Sequence, residues 1–130
     1  FSRISQGQIS PTILLATAVG PEFANIVLLN PYSSYQSIVE QNFYQPTYVF
    51  SMVAGALKQY DLPDLAALLA PKKLWIANTV DGNGKAISQQ TSKQNYGIVL
   101  QAYQQRGKEE AFRLDDLGND NWQDLANWLK

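Results

Sequence analysis

The chain contains no histidine and no cysteine. That removes the commonest general base, the commonest metal ligand, thiolate nucleophiles and disulfides together. What remains for chemistry is carboxylates, hydroxyls and aromatic rings. Asp115, Asp116 and Asp120 lie close enough in sequence to form a carboxylate pair for acid-base work. Their competing reading is a solvated loop that caps the last helix, and that reading fits the residue types better. Asp81, Gly82, Asn83 and Gly84 form a tight-turn sequence, since Asp-Gly and Asn-Gly both favour the turn conformations with positive φ. A calcium loop is a poorer fit there, because the series of oxygen ligands stops at Lys85 and no closing Glu follows. No metal site and no cofactor are expected. Tyr32, Tyr35, Phe43, Tyr44, Tyr48 and Phe50 crowd one stretch of the chain. Aromatic faces are what sugar rings stack upon, so Tyr32, Tyr35 and Tyr48 are candidate carbohydrate-binding residues; the same spacing also suits core packing.

Ten basic residues stand against eleven acidic ones, and no run of Lys or Arg is long enough to track a phosphate backbone. Nucleic acid is not an expected partner. No stretch approaches the roughly 20 apolar residues that span a bilayer, so a soluble chain with no membrane partner is expected. At 130 residues with 45% hydrophobic content, the sequence is sized for one domain, covering 1–130. It opens on Phe1 rather than Met, with no signal-peptide pattern, which reads as a fragment or an excised domain.

The elements that must position these residues follow from periodicity and punctuation. Residues 1–4 suit a strand and 5–9 a turn. Ser10 and Pro11 then read as a cap and first helical residue, opening a helix over 12–19 that is apolar nearly all round and closes at Gly20 and Pro21. Residues 25–30 and 73–78 are apolar runs rich in branched residues, as expected of parallel strands buried on both faces. Between them the pattern predicts helices over 34–44, with Tyr35, Ile38 and Val39 inward; over 47–60, with Val49, Val53 and Leu57 inward; and over 62–70, capped by Asp61, with Leu65, Leu68 and Leu69 inward. A helix is predicted over 88–106, with Tyr96, Val99, Leu100 and Tyr103 on its buried side and Gly107 ending it. Residues 111–114 read as a strand. A last helix is capped by Asp120 and turns Trp122, Leu125, Ala126 and Leu129 inward, with Trp128 over an edge. The class is α/β: a parallel sheet of about four strands with helical crossovers.

The segments 30–40, beginning Asn30, Pro31 and Tyr32; 60–71, from Tyr60 to Pro71; and 78–82, ending Asp81 and Gly82, resemble bacterial α/β-hydrolases of the acetyl xylan esterase and polysaccharide-esterase type. The similarity covers most of the chain and corresponds to the C-terminal half of that fold, with 32–70 as an inserted helical region. The resemblance implies a nucleophile elbow at Ser5 to Ile9, an acid at Asp81 and a histidine in the loop after the last strand. In that register Gly7 stands at the nucleophile's position and supplies no nucleophile. A shifted register places Ile9 there, or Ser10 followed directly by Pro11, and neither restores the small flanking residues. Ser10 is therefore expected to be a helix cap and Ser5 a turn residue. Asn119 or Asn121 takes the place of the histidine and cannot exchange a proton near neutral pH.

The degenerate positions Gly7, Asp81 and Asn119 imply a hydrolase-like module without its own activity. The resemblance also suggests a periplasmic or secreted setting. Expected partners are a carbohydrate or the N-terminal part of a parent protein, with a homo-oligomer through an exposed sheet edge as a further expectation. A small doubly wound binding domain of the flavodoxin or receiver kind is the alternative; its phosphate turn would have to be the weak Gly82, Asn83, Gly84.

Overall fold

The computed structural model describes residues 2–20, 23–118 and 122–130. Four strands, β1 (Ser2–Gln6), β2 (Asn25–Leu29), β3 (Lys73–Ala77) and β4 (Phe112–Asp115), form one all-parallel sheet in the order β1-β2-β3-β4. The apolar run of β2 lies between two neighbours, with Ile26, Val27 and Leu28 all buried, and β3 buries Leu74 to Ala77 in the same way. This is the both-faces burial that their near-continuous hydrophobicity requires.

Because the strands advance in one direction, the crossovers all stack on one face. There α1 (Ser10–Val19), α3 (Leu62–Leu68) and α5 (Gly97–Gln105) pack on Ile26, Leu28, Leu74 and Ile76 through Leu14, Leu62, Leu65, Ala66, Val99 and Tyr103. The opposite face carries Val27, Trp75 and Ala77, and the element over it is α6 (Trp122–Trp128), through Leu125 and Trp128.

Trp75 holds that thinner layer together. It is fully buried, donates its indole Nε1–H to Asp115 Oδ1 at 2.7 Å, lies beneath the Arg113 guanidinium at 4.0 Å, and meets Trp128 edge-on at 5.9 Å. Asp115 Oδ2 also accepts from Arg113 Nε at 2.6 Å, so one carboxylate fixes both the ring and the cation above it. Both Asp115 oxygens are thus occupied in a structural network with Trp75 and Arg113. Asp120 lies outside the described residues.

Several helical expectations shorten for identifiable reasons. The helix expected over 34–44 is α2 (Tyr35–Val39), capped by Ser34, whose hydroxyl accepts from Ser37 N. Beyond it Gln45 N is captured by the Gly82 carbonyl at 2.9 Å, which pulls the backbone off the helical path. The stretch 47–60 holds two short 3₁₀ segments, Pro46–Ser51 and Ala56–Lys58, with Gly55 left-handed at φ +76 between them. Its expected inward residues Val49, Val53 and Leu57 are exposed, so no packing face was there to offset the weak helical propensity around Gly55.

The helix expected over 88–106 breaks at the buried Tyr96 into α4 (Gln89–Asn95) and α5, with Gly97 at the join; Gly107 then closes α5 at φ +63 as expected. Leu68, Val39, Leu100, Trp122 and Ala126 face outward rather than inward, because each helix meets the sheet along a stripe narrower than its apolar set.

Asp61 fastens the long crossover. Its Oδ1 accepts from Leu62 N and from Tyr35 N, both at 2.6 Å, and its Oδ2 accepts from Gln36 N at 3.2 Å. One carboxylate therefore serves the free amides at the starts of both α2 and α3, and Asp64 reaches back to Asp61 N to complete a capping box.

The network about Trp75 predicts an asymmetry between two tryptophans. Trp128 Nε1 is buried without an acceptor among the described residues. Trp75→Phe removes a charge-assisted hydrogen bond to Asp115, whose other oxygen keeps its Arg113 partner, and leaves a smaller ring in a fully buried site, and should cost about 2–4 kcal/mol in urea unfolding. Trp128→Phe removes an unsatisfied donor and should cost less than about 1 kcal/mol. Equal losses would contradict this account of the α6 face.

Candidate functional site

The C-terminal ends of the strands, where α/β sheets carry their sites, gather most of the positions singled out in the sequence. β1 leads through a 3₁₀ turn, Gly7–Ile9, into α1, and Gly7 takes the left-handed conformation at φ +57. A Cβ at this position would meet nothing within 4 Å, so the backbone conformation, not crowding, is what favours glycine here. The 3₁₀ segment Pro46–Ser51 lies against this turn and roofs it.

Ser10 is the first residue of α1 rather than its cap. Its hydroxyl is buried and lies 3.2 Å from that of Ser5, also buried. The two hydroxyls satisfy each other, which corrects the expectation that Ser10 caps the helix. Among the described residues no base hydrogen-bonds to either hydroxyl, so nothing there activates the pair.

Beside the turn lies a cavity of about 220 Å³ lined by Gln6, Leu29, Asn30, Asn78, Leu117, Gly118 and Trp122. Asn30 and Asn78 directly follow β2 and β3, and both are left-handed, at φ +50 and φ +55. Asparagine tolerates this region better than other side-chain-bearing residues. Asn78 Oδ1 accepts from Leu117 N at 2.7 Å, which ties the loop after β4 to the end of β3 and leaves the side-chain NH₂ of Asn78 as a donor. Gln6, Asn30 and Asn78 thus bring three carboxamides to one hollow. The sequence reading passed over them: the two asparagines read there only as strand ends, and their signal is the Asn that closes each apolar run.

Asp81 does not line that hollow. It borders a separate polar cleft of about 340 Å³ with Ser33, Ser37, Glu40, Thr91 and Asn95. Its Oδ1 accepts from Asn83 N at 2.8 Å and Lys85 N at 2.9 Å, the pattern of a side-chain-stabilised turn. The next residue, Gly82, is required by close approach: a Cβ there would collide with the Ser37 carbonyl oxygen and stand 2.6 Å from Ile38 Cα. Asn119 and Asn121 lie outside the described residues; their neighbours Gly118 and Trp122 line the carboxamide cavity with Gln6. The structure therefore brings the flank of Gly7 and the loop after β4 to one cavity and sets Asp81 in another.

Tyr32, Tyr35 and Tyr48 are buried and pack on one another, with Tyr32 to Tyr48 at 4.6 Å and Tyr32 to Tyr35 at 6.2 Å between ring centres. Their faces are covered by each other and not open to a sugar ring, whereas Phe43 and Phe50 of the same stretch are 83% and 89% exposed. The Tyr32 hydroxyl meets Ser51 Oγ at 2.8 Å, and the Tyr35 hydroxyl donates to the Ser51 carbonyl at 3.3 Å. Among the described residues no group of three acidic side chains is placed to hold a metal, and no helix is long and apolar enough to cross a membrane.

Burial raises the phenol of Tyr35 to about 12, and raises those of Tyr32, Tyr96 and Tyr103 well above the ordinary tyrosine value. The folded state thus holds these protons more tightly than the unfolded chain, whose tyrosines titrate near about pH 10. Stability is full below that value and falls as pH rises through the raised ones. Circular dichroism should therefore show alkaline unfolding that begins above about pH 10, with the tyrosinate absorbance of the buried rings appearing in the same transition. Ionisation of all seven tyrosines near their ordinary value with the fold intact would contradict the burial described.

Searches against protein-family models, curated proteins and solved structures find no match to this chain, so its functional reading rests on the geometry above.

Proposed function

We propose that the chain is the C-terminal portion of an α/β-hydrolase-like scaffold of the acetyl xylan esterase type, and that it does not itself hydrolyse esters. The observation that carries this reading is Gly7. A strand-turn-helix junction with a left-handed residue at its corner is the arrangement that raises the nucleophile in this fold, and here that corner is glycine at φ +57. The strand order, in which the corner precedes the strand leading to Asp81 and then the strand leading to 116–118, supports the same correspondence. Acyl transfer from this turn would need an oxygen at position 7 and an imidazole in reach, and the chain has neither.

The second reading, a doubly wound ligand-binding domain, is favoured by the carboxamide cavity at the strand ends. It is disfavoured by the strand order, which runs in one direction and has no reversal point among the described strands.

With a chromogenic acetate ester, the purified chain should give no turnover above buffer, and Ser5→Ala and Ser10→Ala should leave that background unchanged. Gly7→Ser should fold, at a cost of about 1–2 kcal/mol for a side chain in the left-handed region, and should remain inactive for want of a base. Turnover by the unmodified chain that Ser10→Ala abolishes would overturn the proposal.

A further inference from the structure

The polar cleft beside Asp81 is used by neither functional reading, and its walls are held together through the backbone. Ser33 N donates to the Val80 carbonyl and Gln45 N to the Gly82 carbonyl, both at 2.9 Å. Gly82 lies so close to Ser37 and Ile38 that no side chain fits between them, so the turn carrying Asp81 is pressed against α2. The cleft is thus formed in advance of any ligand. Ile87, with Thr91 and Asn95 one turn apart on α4, completes its lining.

That lining contains two carboxylates, Glu40 and Asp81, with hydroxyls and carboxamides, and no cation among the described residues. Neither carboxylate enters an ion pair there. Asp81 spends Oδ1 on the amides of its own turn, and Glu40 spends Oε1 on Gln36 Nε2 at 2.6 Å, so each keeps one oxygen unshared. Ser33 points to a ligand independently of these charges. It is 2% exposed, and its hydroxyl has no hydrogen-bond partner among the described residues, whereas buried hydroxyls are normally paired. The hydroxyl is not sealed in the core; the little of Ser33 that stays accessible opens on the cleft.

We propose that this cleft binds a short aliphatic diamine or polyamine, with its ammonium groups held by Glu40 and Asp81 and one of them donating to the Ser33 hydroxyl. An ammonium carries three donors and no acceptor, which matches two unshared carboxylate oxygens and an unspent hydroxyl. Ile87 gives the intervening methylenes an apolar wall. An anion would meet two like charges and no cation. A bare divalent metal ion fits less well, because it gathers about six or more oxygens at about 2.0–2.6 Å. Here the carboxylates offer one free oxygen each in a hollow of about 340 Å³, and no group of three acidic side chains is assembled among the described residues. Neither Gly7 nor the pair Ser5 and Ser10 borders the cleft, so amine binding does not depend on the hydrolase reading.

The test titrates the whole chain with putrescine, followed by calorimetry and by amide NMR shifts, and compares uncharged butanediol, calcium chloride and magnesium chloride. Putrescine should bind saturably, bind less tightly as salt is added, and shift the amides of Ser33–Ser37 and Asp81–Lys85; butanediol should not bind. Glu40→Gln and Asp81→Asn should each weaken putrescine roughly three- to tenfold, and the uncharged change Ser33→Ala by a similar factor. Asp81→Asn keeps the carbonyl oxygen its turn needs and Glu40 is exposed, so both variants should keep the circular dichroism of the parent chain. Glu109 lies just ahead of β4, at the far end of the sheet, and Glu109→Gln should bind as the unmodified chain does. No saturable binding, equal binding of butanediol, tighter binding of either metal ion at the same amides, or unchanged affinity in any folded variant of Ser33, Glu40 or Asp81 would each overturn the inference. Equal weakening by Glu109→Gln would do so too, since it would mark a general attraction of amines to carboxylates.

Discussion

Two apolar strands at the centre of a four-stranded parallel sheet must be covered on both faces, and the rest of the chain is arranged by that need. Leu74, Trp75, Ile76 and Ala77 of β3, like Ile26, Val27 and Leu28 of β2, leave almost no surface to water. At roughly 25 cal/mol per Å² of apolar surface removed from solvent, such strands are the largest favourable contribution the sequence offers. Strand order then decides how the cover is supplied. Three crossovers in one direction place α1, α3 and α5 on one side, and the other side depends on α6. The ring of Trp75 fills the space that a single short helix cannot, and Asp115 with Arg113 sets its orientation.

The same arrangement places the candidate site. Parallel strands end together, so Gln6, Asn30, Asn78 and the loop reaching Gly118 converge without any one segment specifying the cavity. Asp81, only three residues beyond Asn78, is carried elsewhere because Gly82 packs against α2 and the Asp81 carboxylate closes its own turn. The aromatic stretch divides in a similar way. Tyr32, Tyr35 and Tyr48 enter the core beneath the crossover, and Phe43 and Phe50 remain outside.

Much of this was legible before the fold was known, and the part that was not has a common cause. The runs 25–30 and 73–78 announce themselves as doubly buried strands by composition alone, and Asp61 before Leu62 and Pro63 announces a helix start. Those signals are local. Whether Leu68, Val39 or Trp122 turns inward depends on which surface lies opposite, and periodicity cannot supply that. The predicted helix over 47–60 failed for the same reason: its apolar residues had no partner surface, and Gly55 was free to take its left-handed turn. Ser10 looked like a cap because Ser before Pro usually is one; that its hydroxyl is spent on Ser5 is a contact between strand and helix. Gly7 was legible as the corner of a strand-turn-helix junction, while the cavity beside it was not, since Asn30 and Asn78 acquire meaning only where two strands end side by side.

The claim on which the functional account turns is that no hydroxyl in this chain is activated for attack. Exposure of the folded protein to a fluorophosphonate, followed by intact-mass measurement and peptide mapping, reads that property without reference to any substrate. The account predicts an unmodified mass. A stoichiometric adduct on Ser5 or Ser10, lost when the protein is unfolded before exposure, would contradict it.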